Sequence, residues 1–196
     1  MDNSHPLSAP PHGDDHHPPI TFHVLGTLEL SRTGVGELRA LLVQPKRLAL
    51  FAYLVLANPS RLQRRDSLLP LFWPEATEEQ ARRSLRQALH FLRQAVGTDV
   101  LSSRGDDEIG VNLGAVWCDA RRFEAALDGG RLEEAVDLYR GHLLEGFHVS
   151  GVAPELEQWL EGERSRLRTR AAGAVLSLAQ AAERSGNARL AIQRVR

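Results

Sequence analysis

Residues 77–113 read TEEQARRSLRQALHFLRQAVGTDVLSSRGDDEIGVNL, and the two halves of this stretch follow different periods. Thr77 followed by Glu78, Glu79 and Gln80 marks a capped helix start with acids in its first turn, and Gly97 after Val96 marks the stop. Wound at about 100° per residue, Leu85, Ala88, Leu89 and Leu92 share one face. Arg83, Gln87, His90 and Gln94 share the opposite one, with Arg86 at its shoulder. Beyond Gly97, Asp99–Leu113 sets two short apolar strands around the polar turn Arg104–Glu108, which predicts a β-hairpin.

Two further helices are expected ahead of this one. Pro45 opens a run in which Leu48, Ala49, Phe51, Ala52, Leu54, Val55 and Leu56 make a helix apolar over most of its circumference, stopped by Asn58-Pro59. A second starts near Arg64 or Asp66, turns Leu68, Leu69, Leu71 and Phe72 inward and ends at Trp73-Pro74. Before both, Ile20–Leu30 (ITFHVLGTLEL) alternates as β-structure does, and Gly34 and Gly36 supply a turn ahead of the apolar stretch Leu38–Val43. Sheet, three helices and hairpin in that order describe the winged-helix variant of helix-turn-helix. There the third helix enters the major groove and the hairpin lies along the phosphates or in the minor groove.

Arg and Gln read guanine and adenine edges bidentately, so Arg83, Arg86, Gln87, His90 and Gln94 are the candidate base readers on double-stranded DNA. Lys46 and Arg47 at the first helix start, Arg61, Arg64 and Arg65 before the second, Arg82 and Arg93 on the third and Arg104 on the hairpin are the candidate phosphate contacts. An Arg/Gln face is also common on any surface helix, so the order of elements carries the weight.

The chain has 196 residues with 24 basic and 25 acidic side chains, a balance that argues against a nucleic-acid binder if taken alone. Its distribution says otherwise. Residues 1–31 carry a charge of −4, residues 32–104 carry +6 and residues 105–196 carry −3, so the positive block coincides with the expected winged helix. Lys46 is the one lysine; an Arg-rich surface suits bidentate phosphate and guanine contacts, and codon bias explains it equally well.

Residues 1–19 (MDNSHPLSAPPHGDDHHPP) hold too little apolar content to order and are expected to be a disordered tail. His5, His12, His16 and His17 therefore form no metal site. From Val116 the pattern is helical almost throughout. Asp119 caps RRFEAAL, Gly129-Gly130 stops it, RLEEAVDLYR follows, then a loop (Glu145–Pro154), a long segment to Arg184, a Gly186-Asn187 turn and the start of a last helix. GRLEEAV (130–136) and GNARLAI (186–192) share Gly, Ala and aliphatic positions, a partial tetratricopeptide-like match that breaks off as though the chain continued beyond Arg196. Trp117, Phe123, Leu127, Leu138, Tyr139, Phe147 and Trp159 are expected in the core of this half. Its acids, alternating with Arg, are expected on solvated helix faces. The expected fold is mainly α: a tail (1–19), a winged helix with a small sheet and a hairpin wing (20–113), and an all-α tetratricopeptide-like domain (116–196).

One cysteine, Cys118, rules out an intramolecular disulfide or a Cys-based zinc finger and reads as a buried small hydrophobe. No apolar run is long enough to span a bilayer and no signal-peptide pattern is present, so a cytoplasmic protein without a membrane partner is expected. The sequence holds no Walker-type phosphate loop, G-x-S-x-G or H-E-x-x-H. The Asp106-Asp107-Glu108 turn is a weak cation signal, and neither catalysis nor a cofactor is expected. The competing reading is a helical-repeat interaction module that binds no DNA.

The runs ARRSLRQALHFLRQAVG (81–97), LLPLFWPEATEEQ (68–80) and LYRGHLLEGFHVSGVAPELEQWLEGERSRLR (138–168) resemble bacterial activators of the antibiotic-regulatory-protein (SARP) type. Those join an OmpR-like winged helix to an all-α bacterial transcriptional activator domain. The resemblance covers roughly residues 20–196 and is specific in the second half, where Gly146-Phe147, Glu157-x-Trp159 and Glu163-Arg164-x-x-Leu167 occur in order. It implies a short N-terminal sheet, binding to direct repeats near promoters by two protomers head to tail, and recruitment of RNA polymerase. The chain departs from the family in its acidic, His-rich leader and in showing no ATPase or further repeat region.

Overall fold

The computed structural model of the chain describes residues 18–57 and 62–184. Residues 1–17 of the tail with its four histidines, the Asn58-Pro59 helix stop, Arg61 and the Gly186-Asn187 turn with its repeat copy lie outside the described residues.

The alternating run from Ile20 forms two strands, β1 (Ile20–His23) and β2 (Glu29–Arg32), which pair antiparallel, Ile20 opposite Arg32 and His23 opposite Glu29. The chain reverses at Gly26, whose φ of +86° favours glycine, and a Cβ there would lie 3.1 Å from the Arg140 carbonyl oxygen. A two-residue β3 (Gly36–Glu37) extends the sheet, and the one-turn helix α1 (Arg39–Leu42) takes up the stretch after it.

Helix α2 (Pro45–Leu56) has Pro at its first position and buries Leu48 through Ala52, Leu54 and Val55, as its apolar circumference requires. A short β4 (Gln63–Arg64) leads into α3 (Arg65–Phe72), which buries Leu68, Leu69 and Phe72 and leaves Leu71 half-buried. Helix α4 (Glu78–Val96) starts in a reciprocal capping box: Gln80 N–H donates to Thr77 Oγ1 (3.3 Å) and Thr77 N–H to Gln80 Oε1 (3.0 Å). The wing is β5 (Leu101–Arg104) paired with β6 (Glu108–Val111), and β4 adds a third strand against β6 that hairpin patterning does not reveal.

Val116 does not open a purely helical half. Residues Val116–Cys118 form β7, which lies parallel to β1 and completes the order β3-β2-β1-β7. The remainder is α5 (Asp119–Asp128), α6 (Leu132–Leu138) and the 31-residue α7 (Pro154–Arg184), with α6 ending before Tyr139 and a loop from there to Ala153. No helix among the described residues is long and apolar enough to cross a membrane.

The two halves share one core. Tyr53 of α2 meets Trp159 of α7 at 4.8 Å between ring centroids, and the cluster that contains Phe22 and Phe51 of the first half continues into Phe123, Leu156 and Leu167 of the second. The 139–153 loop is bonded to the winged helix through Leu144 N–H to Val24 O (2.7 Å), Gly26 N–H to His142 O (3.0 Å) and Ala153 N–H to Leu71 O (2.9 Å). A Cβ on Gly141 would lie 2.7 Å from Gly26 Cα, so the two backbones can touch only as glycines.

Asp119 does more than start α5. It is 3% exposed, and its carboxylate accepts from Ala120 N–H (2.7 Å), Val24 N–H (2.9 and 3.0 Å to its two oxygens) and Leu25 N–H (3.1 Å). That one side chain pins the end of β1 to the start of the helical half. The Arg/acid alternation of the second half is likewise not simply solvated: Arg166 bonds Glu124 and Glu163, and Arg170 bonds Glu124 and Asp128, which ties α7 to α5. Cys118 is buried, and burial pushes its thiol up to about 12.

Candidate nucleic-acid interface

Helix α4 divides as its sequence period requires. Ala81, Leu85, Ala88, Leu89, Leu92 and Val96 are buried, whereas Arg83, Arg86, Gln87, His90 and Gln94 are all exposed. None of these five makes a side-chain hydrogen bond or ion pair among the described residues.

The two shoulders of that ridge are held by neighbours. On the wing side, Arg82 pairs with Glu78 and Asp66, both at 2.9 Å, and Arg93 donates from Nη2 to Ser103 Oγ on β5 at 2.9 Å. On the α2 side, the Arg47 guanidinium lies over the Phe91 ring, 4.3 Å from its centroid. The helix is thus fixed in rotation about its axis, with the five free side chains outward.

The candidate phosphate contacts fall into two groups. Arg64 is exposed and makes no side-chain bond among the described residues. Arg104, whose side chain is 79% exposed, lies 3.4 Å from Glu108. Lys46, Arg65, Arg82 and Arg93 are engaged within the protein. Lys46 Nζ donates to Gly151 O at 2.6 Å, which joins α2 to the 139–153 loop, and desolvation there lowers its ammonium from the ordinary lysine range. Arg65 reaches under the wing: its backbone N–H donates to Asp107 O (2.8 Å), its Nη1 lies 3.9 Å from Asp106 and its Nη2 lies 3.5 Å from Ser103 Oγ.

Two features of this surface were not evident from residue types. Ser103 receives both Arg65 and Arg93, a meeting of α3, α4 and β5 that only the fold creates. The wing turn also puts acids beside the ridge, since Arg65, Arg82 and Arg86 line one groove together with Asp66, Asp106 and Asp107.

Comparison with known proteins follows the same division. A search of curated proteins returned no match. A solved structure of Mycobacterium tuberculosis EmbR in complex with a low-affinity phosphopeptide superposes with a TM-score of 0.62 at 24% identity, over 89% of this chain and 48% of that one. The chain thus spans about half the length of the EmbR chain, and the likeness covers the winged helix and the helices behind it. The family model that matches describes the bacterial transcriptional activator domain, over residues 110–196. Residues 110–196 thus match the bacterial transcriptional activator domain, and they follow a winged helix whose fold the EmbR superposition shares.

Proposed function

We propose that this protein is a sequence-specific DNA-binding transcriptional activator that lays α4 in the major groove and its wing along the backbone. The observation that carries the reading is the ridge of Arg83, Arg86, Gln87, His90 and Gln94, five donor-rich side chains without partners among the described residues, on a helix otherwise locked from both sides. Buried or paired, they would stabilise the fold; free and aligned, they match the edges of guanine and adenine. Arg64 and Arg104 contact phosphates on either side. By its likeness to SARP-type regulators, the protein binds promoter direct repeats as two protomers head to tail and recruits RNA polymerase.

Incubating the purified chain with fragmented genomic DNA and sequencing what is retained tests this directly. Enrichment of fragments sharing a repeated motif is the expected result, with affinity falling steeply as salt is raised. Retention of no fragment above background, with the protein folded, would favour instead a helical interaction module.

A further inference from the structure

The junction of α3, α4 and β5 holds a cation whose hydrogen bonds are incomplete. The Arg65 side chain is 18% exposed; its Nε is buried with no partner, its Nη1 has an acceptor no nearer than Asp106 at 3.9 Å, and its Nη2 reaches Ser103 Oγ at 3.5 Å. A guanidinium carries five N–H donors, and sinking it among protein atoms without acceptors is costly. Arg93 comes to the same hydroxyl from α4, at 2.9 Å. Ser103 Oγ therefore accepts from two cations, and its own O–H proton is left to donate outward from an exposed strand residue. Asp66 and Asp107 line the same groove, but the carboxylate within 4 Å of the Arg65 side chain, Asp106, stands fully in water on the Gly105 turn, where its attraction is largely screened.

Two converging guanidinium groups and an outward hydroxyl are the donor set of an oxyanion site. We propose that Arg65, Arg93 and Ser103 form a preorganised seat for one backbone phosphate of duplex DNA, with Ser103 donating its hydroxyl proton to a phosphate oxygen and Asp106 competing for Arg65. The identity of the anion rests on the DNA-binding reading above; the seat itself does not. Arg93 lies seven residues after Arg86, two turns along the same side of α4. A phosphate held there would flank the groove that the ridge enters and set the helix's depth and register. Ser103 supplies no base contact, so the seat acts alike on every sequence.

The test uses the full chain and three variants: Ser103→Asp, which fills the seat with a carboxylate; Ser102→Asp, which puts the same charge on the adjacent strand position; and Asp106→Asn, which removes the competitor. Without DNA, thermal melts in sodium phosphate are compared with sodium chloride at equal ionic strength. The expected result is a rise in Tm with phosphate for wild type and Ser102→Asp, a larger rise for Asp106→Asn and none for Ser103→Asp. With DNA, Ser103→Asp is expected to lose about tenfold in affinity for specific and random duplexes alike, the scale of one charge-assisted hydrogen bond. Its salt slope should fall by about one phosphate, and Asp106→Asn should gain. The proposal is overturned if Ser103→Asp responds to phosphate as wild type does, or binds DNA no worse than Ser102→Asp. If wild type binds no duplex at all, the DNA-binding reading fails while the melts still decide whether an oxyanion seat exists.

Discussion

Helices α4 and α7 are both rich in arginine and use it in opposite ways. On α7, Arg166 and Arg170 are bonded to Glu124, Glu163 and Asp128, and Arg164 donates to the carbonyls of Leu143 and Leu144 at 2.9 Å and that of Phe147 at 3.4 Å. On α4, Arg83 and Arg86 point outward with no partner among the described residues. The first set holds helices together, and the second is left for something outside the chain. Arginine count does not separate the two cases; the acids facing each helix do. Helix α5 presents Glu124 and Asp128 to α7, whereas the acids beside α4's ridge, Asp66, Asp106 and Asp107, form no ion pair with Arg83 or Arg86 among the described residues. If this contrast is right, changes in the first region alter stability and leave binding per folded molecule intact, and changes in the second do the reverse.

The largest expected effect lies where a buried charge joins the two halves. Asp119→Ala leaves the N–H groups of Val24 and Leu25 buried without acceptors, and we expect it to cost about 3 kcal/mol of stability in urea melts. A cost under about 1 kcal/mol would mean that the surrounding packing, not the carboxylate, fixes β1 to α5. Burial pushes the Asp119 carboxyl above the ordinary aspartate value of 3.8, opposed by the N–H groups of Leu25, Val24 and Ala120 and by His23. The folded state then holds this proton more tightly than the unfolded chain. Its contribution to stability should fall as pH rises from about 3.8 through the folded value, a slope that Asp119→Asn should lack.

The second effect reverses the pattern. Arg86→Ala or Gln87→Ala should weaken specific DNA binding by roughly 1–3 kcal/mol per lost base contact, with melting unchanged. Arg64→Ala should instead weaken all sequences alike and lower the salt slope by about one. Equal loss on specific and random duplexes for Arg86→Ala would move that residue from base reading to the backbone.

How much of this was legible without the fold depends on the range of the interactions. The α4 face and the hairpin after it were evident because both periods are local: the apolar spacing of Leu85, Leu89 and Leu92 and the Thr77/Gln80 box lie within a few turns of each other. Strand β7 was missed because Val116–Cys118 is too short to show alternation and is fixed by pairing with β1, far away in sequence. The same holds for Asp119, whose position as the first residue of α5 gives no sign that it accepts from the N–H groups at the end of another strand. Charge and position place Lys46 and Arg65 with the phosphate contacts, but their immediate partners, Gly151 O and the wing, are tertiary. The acid–arginine pairs of α5 and α7 were legible as alternation and not as pairs, since alternation gives a helix's polar face but not which helix meets it.

A third prediction measures the α5–α7 network. Glu124 serves both Arg166 and Arg170, and its side chain is 29% exposed, so water screens part of the attraction. Glu124→Ala should cost about 1 kcal/mol, less at high salt, and leave DNA affinity unchanged. A change in DNA affinity with no change in melting would break the contrast between the two helices.

The smallest effect falls on a residue that belongs to both regions. Arg47 lies over the Phe91 ring at the edge of the ridge and was also a candidate phosphate contact. These roles separate in a double-mutant cycle of Arg47→Ala and Phe91→Leu. Stacking on the ring predicts a coupling of about 0.5 kcal/mol in stability, because each single change removes the same contact and the double change removes it once. A phosphate role predicts that Arg47→Ala lowers the salt slope by about one whether or not the ring is present, since the guanidinium edge stays free while its face is stacked. Coupling without a slope change would place Arg47 with the paired arginines of α7. A slope change without coupling would place it with the ridge, and both together would make Phe91 the support that holds a DNA-contacting cation in place.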